Sequence, residues 1–413
     1  MNSRERFLSA MQGVEPDRPP IDLGSHPSSG IAAIAYNRLK DYLGMEGGHT
    51  RVYDVVQQLA QPEEKILEEF NVDVVDLGRT FNREDEDWYE MKLPDGSGAK
   101  YPEWFRPERD NEGNWKVYDD EGVLIAKLPK NGYFFDQTCF PYVGGYPENY
   151  EGLDEAMNKV LWQALVHSPW DHAGEEGFWS ELRRRAKKLR ENTDYAIMLT
   201  IGGNLFEWGT FLRRMDNFLM DLVRNRAEVE RLLDELTERH LSTLEKVTEY
   251  LGDTIDVIRF GDDFGDDTSL LMPPETYRSL FKPRQKVMLD YVKDNSDLFT
   301  LLHSDGSIYE IIPDLIEVGF DGINPVQTNT KNMEPDKLKA QFGNEITFWG
   351  AGVDTRTVLN SGTPREVKDQ VKERLEIFSP GGGFVFATIH NILPEVPPEN
   401  VVAVYRAYEE YFG

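Results

Sequence analysis

The sequence predicts a (β/α)8 barrel of the TIM type, and three observations support this fold class. Short apolar or β-branched runs alternate with longer helical patterns, which is typical of a parallel sheet built from strand–helix units. The alternation occurs eight times, and the last helical pattern lies at the C-terminus. The length of 413 residues suits one barrel domain that carries insertions. A doubly wound open sheet remains the structural alternative.

Eight short runs are the candidate strands. In chain order they cover residues 20–24, 72–78, 196–202, 257–261, 298–303, 322–325, 346–350 and 384–388. The clearest helical patterns between and around them cover residues 1–13, 53–70, 307–318, 363–378 and 397–408. Thr363 and Glu366 have the spacing of a capping box, and Gly319 follows the apolar stripe of residues 307–318 as a helix end.

The segment 79–180 does not follow the barrel pattern. It is rich in Trp, Tyr, Asp and Gly, and residues 113–118 and 123–127 resemble the two strands of a hairpin. We therefore predict one barrel domain over residues 1–413, with 79–180 inserted as a lid or subdomain in the βα loop after the second strand. The alternative is a subdomain with its own small core.

Composition excludes several classes of function. A formal net charge of -29 argues against binding to nucleic acid or anionic lipid. No apolar run approaches the ~18 residues of a membrane span, and the N-terminal helix pattern lacks a signal-peptide core, so we expect a cytoplasmic protein. The single cysteine, Cys139, excludes an internal disulfide framework and a metal site built from several cysteines.

Polar residues follow each predicted strand, where a barrel gathers its active site. These residues are Ser25, His26, Arg79, Asn204, Glu207, Asp262, Asp263, Asp266, His303, Asp305, Asn324, Gln327, Asp354, His390 and Asn391. Their carboxylates and imidazoles could serve as metal ligands or as acid/base pairs. The candidates for substrate binding among them are His26, Asn204, Glu207, Asn324, Gln327 and His390.

His303 is the central candidate of this site. His303 and Asp305, two residues apart at a strand end, place their side chains on the same side, as a metal pair or an acid/base pair requires. Asp262 and Asp263 follow the neighbouring strand and are the candidate catalytic carboxylates. The alternatives are a packed histidine, a solvated acidic turn, and a helix-capping role for Glu207.

Several motifs in order carry a family resemblance. They are Arg4–Phe7, Glu15–Gly24, Gly261–Gly265, His303–Ile308, Asp321–Gln327, Trp349–Thr355, Pro380–Phe384, His390–Ile392 and Pro397–Asn400. Together they resemble the uroporphyrinogen decarboxylase-like superfamily over nearly the whole barrel and fail only in 79–180. The resemblance implies one of two chemistries, decarboxylation of a porphyrinogen or corrinoid-dependent methyl transfer. The decarboxylases use an arginine-rich N-terminal segment, whereas residues 22–30 contain no arginine.

The corrinoid-dependent branch is therefore the better match. Its zinc-thiol members use a His-x-Cys motif with a later cysteine, but Asp305 stands at the first cysteine position and Gly382 lies close to the second. The resemblance thus implies methyl transfer from a small methylated donor, such as an aryl methyl ether, to Co(I). His303, with Asp262 and Asp263, would supply a proton or hold a metal such as zinc together with Asp305.

The cobalt would belong to a separate corrinoid protein, because the chain has no Asp-x-His-x-x-Gly cobalamin signature. Three alternatives stay open at this point. One is a uroporphyrinogen decarboxylase-type lyase, and another is a lyase or hydrolase that uses Asp262 or Asp263 as a base. The third is a barrel that binds without catalysing a reaction.

Overall fold

The computed structural model describes residues 1–413, and its strands form one large parallel sheet and three small antiparallel ones. The strands are β1 (Ile31–Ala32), β2 (Val52–Asp54), β3 (Leu59–Ala60), β4 (Val74–Asp76), β5 (Trp88–Lys92), β6 (Gly98–Pro102), β7 (Glu108–Arg109), β8 (Trp115–Tyr118), β9 (Leu124–Leu128), β10 (Asp136–Gln137), β11 (Ala196–Gly202), β12 (Val257–Gly261), β13 (Phe299–His303), β14 (Gly322–Asn324), β15 (Thr347–Ala351) and β16 (Phe384–Ala387). The parallel sheet has the order β16-β15-β14-β13-β12-β11-β4.

Helices connect these strands. They are α1 (Ser3–Met11), α2 (Ala33–Tyr42), α3 (Glu64–Glu69), α4 (Leu153–Asn158), α5 (Phe178–Asn192), α6 (Phe206–Arg213), α7 (Met215–Arg224), α8 (Arg226–Leu251), α9 (Pro274–Thr276), α10 (Lys282–Asn295), α11 (Ile312–Val318), α12 (Pro335–Phe342), α13 (Val358–Ser361), α14 (Pro364–Phe378) and α15 (Pro398–Phe412). No helix has both the length and the apolar character needed to cross a membrane.

The first predicted strand closes the parallel sheet into a barrel. Ile21 forms a parallel bridge with Phe386 of β16, and Asp22 forms one with Val74 of β4. The Asp22 N–H donates to the Phe386 carbonyl at 2.9 Å, and the Asp73 N–H donates to the Ile21 carbonyl at 2.8 Å. This first predicted strand is thus only two bridges long, but it joins the two edge strands, β16 and β4, and completes the set of eight. The predicted (β/α)8 class is confirmed, and the doubly wound alternative is wrong.

One predicted helix is wrong over most of its length. Residues 52–60 form the antiparallel pair β2 and β3, and only Glu64–Glu69 are helical. Val52 is β-branched and fully buried in β2, where packing favours an extended backbone, and residues 55–58 form the turn between the two strands. Pro62 also disfavours helical backbone at the residue before it. A continuous helix through residues 53–70 is therefore excluded.

Two other predicted helix ends are found close to their expected places. Thr363 and Glu366 form the predicted capping box at the start of α14. Gly319 ends α11 with a φ of 111°, which glycine adopts without strain. However, α11 begins only at Ile312, after a 3-10 turn at Tyr309–Ile311, because Pro313 is tolerated only in a first helical turn.

The segment between β4 and α5 carries the irregular part of the fold. Strands β8 and β9 form the predicted hairpin within a four-stranded antiparallel sheet, and β5 pairs with β6. Its buried apolar residues, among them Phe105, Phe135 and Leu161, belong to the same hydrophobic cluster as the residues around the barrel. The segment therefore shares the core of the barrel and does not have one of its own.

The buried carboxylate of Asp73 holds the closing segment in place. Asp73 is fully buried and accepts hydrogen bonds from Arg6 Nη1 and Arg18 Nη1, both at 2.7 Å. It also accepts the Ile21 N–H at 2.8 Å. These contacts tie α1 and the segment before Ile21 to the edge strand β4. Barrel closure therefore depends on a charged group that has no access to water.

We expect Asp73→Asn to lower the free energy of unfolding by about 3–5 kcal/mol, because it leaves two arginines beside a neutral amide. Urea denaturation measures this change. Asp253→Asn is the matched control, since Asp253 pairs with Arg183 but its side chain is 63% exposed. The control should lose less than about 1 kcal/mol. Equal effects of the two substitutions would show that Asp73 is not a closure point.

Candidate active site

His303 ends β13, and its orientation is fixed by an amide behind it. Its Nδ1 lies 2.8 Å from Asn324 Oδ1, and Asn324 Nδ2 donates to the Trp349 carbonyl at 3.0 Å. Because that carbonyl can only accept, the amide oxygen must face His303, and Nδ1 must carry the hydrogen. The lone pair of His303 therefore lies on Nε2. Burial, followed by the charge of Arg259, lowers the pKa of His303 well below its usual value.

Three possible metal ligands meet around His303. His303, Asp305 and His390 each offer a donor atom, and these atoms lie within 4.8 Å of one another. Asp305 Oδ2 is 3.7 Å from His390 Nε2. Two imidazoles and one carboxylate form a donor set that zinc commonly binds at sites with an open position. The geometry thus joins His390, expected to contact substrate, to the predicted pair of His303 and Asp305.

Gly382 lies far from this group of ligands. It precedes β16, and a side chain there would meet the backbone of Val14 and Glu15. His303 and His390 follow β13 and β16, so Gly382 is at the opposite end of the barrel. A residue near Gly382, where the relatives have their second cysteine, would therefore not reach the metal-ligand group around His303. His390 supplies the third donor instead, and its φ of 128° is unusual for a residue with a side chain.

Two carboxyl groups, those of Asp263 and Glu207, line the same cavity as His303. Asp263 Oδ1 is 3.6 Å from His303 Nε2 and accepts the Asp305 N–H at 2.9 Å. Burial raises the pKa of Asp263. Burial, followed by repulsion from Asp263 and Asp262, raises the pKa of Glu207 well above its usual value. Glu207 also accepts a hydrogen bond from Asn204 Nδ2. The site therefore contains a carboxyl group whose protonated form is favoured by burial and by neighbouring carboxylates.

Asp262 does not reach the cavity, although the sequence suggested a catalytic role for it. It is fully buried, its Oδ2 accepts the Leu205 N–H at 2.8 Å, and its Oδ1 accepts the Glu207 N–H at 2.9 Å. Both oxygens thus satisfy free N–H groups at the start of α6. Asp262 holds Glu207 in place from behind, and Asp263 alone of the pair faces the open space.

The site opens into a cavity of about 360 Å³ at the end of the barrel. His303, His390, Asp263, Glu207 and Asn204 line its polar side. Aromatic and aliphatic groups form another wall, including Trp162, Trp208, Phe211, Met157 and Leu165. Three of these five come from the segment before α5, which therefore covers part of the cavity. A small substrate with an apolar body and one polar reacting group suits this shape.

Other predicted residues lie outside this cavity. Gln327 lines a smaller neighbouring cavity of about 140 Å³ together with Asp305, His390 and Asn391. His26 is buried, with Nε2 3.3 Å from Asp22 Oδ2, and Ser25 contacts Met198, so neither reaches the open space. Asn324 acts only through His303. The remaining residues bond elsewhere: Arg79 to Glu64, Asp266 to Thr268 and Asp354 to Thr357.

The sequence analysis missed Arg259 and Ser28, which both line the cavity. Arg259 lies in the middle of β12, and its Nη2 donates to Ser28 Oγ at 3.1 Å. Ser28 Oγ is also 3.1 Å from His303 Nδ1. The signal in the sequence is an arginine inside an otherwise apolar strand, and it differs from the polar residues that follow the strands. His167, which lies 3.7 Å from Asp54, comes from the inserted segment and gave no comparable signal.

Comparisons with known proteins place this site in a family context. The profile of the family described as uroporphyrinogen decarboxylase (URO-D) matches residues 206–411. The methylcobamide:CoM methyltransferase MtaA of Methanosarcina barkeri (strain Fusaro / DSM 804) is 28% identical over 143 residues, which are 35% of this chain and 39% of that protein. A second Methanosarcina barkeri protein of the same name is 27% identical over 143 residues, with the same shares.

The chain thus matches only about two fifths of the length of these curated relatives, since the aligned part is 39% of each. A solved structure described as a methyltransferase from Methanosarcina mazei aligns over 100% of both chains, with a TM-score of 0.59 and 19% identity. At that identity the alignment shows a shared fold.

We expect Glu207→Gln to remove a pH-dependent loss of stability. In the folded protein Glu207 keeps its proton above the ordinary glutamate pKa, whereas the unfolded chain loses it. The folded state then binds more protons, so the free energy of unfolding falls as pH rises through that window. As pH rises above the ordinary glutamate pKa of about 4.3, the variant should gain stability relative to the wild type by ~1.4 kcal/mol for each unit of pKa elevation.

Chemical denaturation across this pH range measures the difference. Glu345→Gln, at an exposed glutamate, is the control and should follow the wild type at every pH. Parallel pH profiles for the wild type and Glu207→Gln would mean that Glu207 is ionised in the folded protein.

Proposed function

Because residues 206–411 belong to the uroporphyrinogen decarboxylase (URO-D) family, we propose that the protein is a methyltransferase. It moves a methyl group from a small methylated donor to the cobalt of a corrinoid that a separate protein carries. The convergence of His303, Asp305 and His390 at the mouth of the cavity is the observation that carries this proposal. The names of the Methanosarcina barkeri relatives, which are methylcobamide:CoM methyltransferases, support it.

A zinc ion would be held by His303, Asp305 and His390. Their donor atoms fit it, since the lone pair of His303 lies on Nε2, where the hydroxyl of Ser28 is a distant neighbour at 3.4 Å. When bound, the ion would supply a Lewis acid for the atom that loses the methyl group. A ligand set without cysteine thiolate leaves a harder acid, which favours an oxygen leaving group over a sulfur one.

The walls of the cavity favour an aryl methyl ether as donor. Trp162, Trp208 and Phe211 offer flat apolar surfaces on which an aromatic ring can pack. The polar side, with His303 and Glu207, then faces the methoxy group. O-demethylation of this kind needs the methyl carbon to point out of the barrel, towards the partner's corrinoid.

Glu207 would act as the acid of the reaction. When the methyl group leaves, its former oxygen keeps the bonding electron pair and becomes basic. The raised pKa of Glu207 means that its carboxyl group can donate a proton to this oxygen. Asp262 positions Glu207 through the backbone, and Asn204 holds its carboxyl group from the side.

The same cavity argues against decarboxylation of a porphyrinogen. A substrate with many carboxylates needs several free cations. The cavity is lined by Asp54, Asp154, Glu207 and Asp263, against two arginines, Arg239 and Arg259. Arg239 is already paired with Asp154 at 2.7 Å and with Glu235 at 3.0 Å. Unpaired carboxylates of such a substrate would be buried at a high cost.

We expect the purified protein to contain about one zinc per chain, and His303→Ala and His390→Ala to lose it. Plasma mass spectrometry of the three proteins measures this. His167→Ala is the matched control, because His167 lines the same cavity outside the ligand group and should retain the metal. Full metal content in both ligand variants would move the metal elsewhere and remove this role from the three residues.

Methyl transfer itself is tested with Co(I) cobalamin and an aryl methyl ether. We expect absorbance changes of methyl–cobalt formation that depend on the protein. Glu207→Gln should slow this reaction by about 10²–10⁴-fold, and less for donors with strongly acidic phenol leaving groups, which need no proton. Glu345→Gln is the control for rate.

Two results would contradict the proposal. Equal slowing for all leaving groups would mean that Glu207 does not protonate the oxygen. Turnover of a substrate without any corrinoid would instead indicate a lyase or hydrolase.

A further inference from the structure

Arg259 is a buried cation without a counter-ion. Its side chain lines the cavity, yet the residue is only 8% exposed. No carboxylate oxygen forms an ion pair with its guanidinium, and its one hydrogen bond goes to the neutral hydroxyl of Ser28. Its Nε is buried with no partner at all. Burying an unpaired guanidinium has a high desolvation free energy, so an anionic ligand that pairs with it would offset a large part of that energy.

The position of Arg259 places such a ligand deep in the barrel. In the register of β12 and β13, Arg259 lies opposite Leu301, and Gly261 lies opposite His303. The backbone of Arg259 is therefore two residues further from the mouth than that of His303. Arg259 and His303 nevertheless both contact Ser28 Oγ, each at 3.1 Å. A small molecule could thus contact the guanidinium and the His303 group at the same time.

The carboxylates in the cavity leave room for an anion at Arg259. Asp154 is neutralised by Arg239 at the other side. Asp54 Oδ1 accepts hydrogen bonds from the N–H groups of Val56 and Gln57, so backbone donors of its own turn stabilise its charge. Burial raises the pKa of Glu207 and so favours its neutral form. Asp263 and Asp305 act on Arg259 through their charge, but neither forms an ion pair with it. Asp263 Oδ1 instead lies 3.6 Å from His303 Nε2 and accepts the Asp305 N–H, so the guanidinium has no direct carboxylate partner.

We propose that Arg259 forms an anion-binding subsite and that the methyl donor carries a carboxylate which pairs with its guanidinium. The identification of the ligand as the methyl donor rests on the proposed function, whereas the anion-binding subsite rests on the position and contacts of Arg259. A planar carboxylate can accept two hydrogen bonds from the Nη1 and Nη2 groups of an arginine. Bound in this way, the donor is anchored deep in the barrel, and its methyl group remains near the mouth.

Calorimetric titration with benzoate, which has the carboxylate but no methyl group, tests the subsite without any turnover. We expect wild-type protein to bind benzoate more tightly than its neutral isostere benzamide. Arg259→Met should weaken benzoate binding about 10- to 100-fold and leave benzamide binding unchanged. The benzoate affinity of Arg259→Lys should lie between those of the wild type and Arg259→Met, because lysine keeps the charge but cannot form the bidentate contact. Arg226→Met, at an exposed arginine of α8 that pairs with Glu230 outside the cavity, is the control and should bind benzoate like the wild type.

The possible failures are distinguishable. Equal affinity of the wild type for benzoate and benzamide, or no binding of benzoate, would overturn the subsite even if Arg259→Met did not fold. So would undiminished benzoate binding by a folded Arg259→Met. If benzoate binds through Arg259 but 4-methoxybenzoate is never demethylated, the subsite stands and the proposed function fails. If methoxybenzene is demethylated as well as 4-methoxybenzoate, methyl transfer stands and the carboxylate inference is overturned.

Discussion

The carboxylate of Asp73 lies fully buried between two arginines and the segment that closes the barrel. Arg6 and Arg18 reach it from α1 and from the turn before Pro19. Both arginines belong to the N-terminal motifs that carry the family resemblance. These two arginines therefore stabilise barrel closure and do not contact a substrate. The barrel needs their ion pairs with Asp73, because the closing segment at Ile21 and Asp22 forms only two bridges and few backbone hydrogen bonds hold the barrel edges together.

The closing segment that these ion pairs hold also leads into the site. Asp22, the second residue of the closing segment, accepts the Ser25 N–H at 3.0 Å, and the chain then turns over the mouth to Ser28. Ser28 in turn contacts both His303 and Arg259. The N-terminal segment thus has two tasks, closure at its beginning and lining of the cavity at its end. This explains why residues 22–30 can lack arginine and still contribute to the site.

The sequence predicted the barrel well because a parallel strand buried on both faces is a short apolar run, which is easy to recognise. It failed at residues 53–62, since a short apolar run does not distinguish a strand pair from a helix. The site was predicted only where strand ends determine position, as at His303, Asp305, Glu207 and Asp263. Arg259 was missed because its side chain reaches the cavity from within a strand. The walls from residues 154–167 depend on tertiary packing, which no local pattern encodes.

The neighbours Asp262 and Asp263 show where sequence reasoning reaches its limit. Both carboxylates follow the same strand, and each would be an equally good general base on paper. In the structure Asp262 turns towards the start of α6, whereas Asp263 lines the cavity. The free N–H groups at the start of α6 decide which, because they need an acceptor and Asp262 provides it. Asp262 thereby fixes the backbone of Glu207, while Asp263 raises the pKa of the same residue by repulsion. The acid character of Glu207 is therefore a property of three carboxyl groups, of which only two touch the cavity.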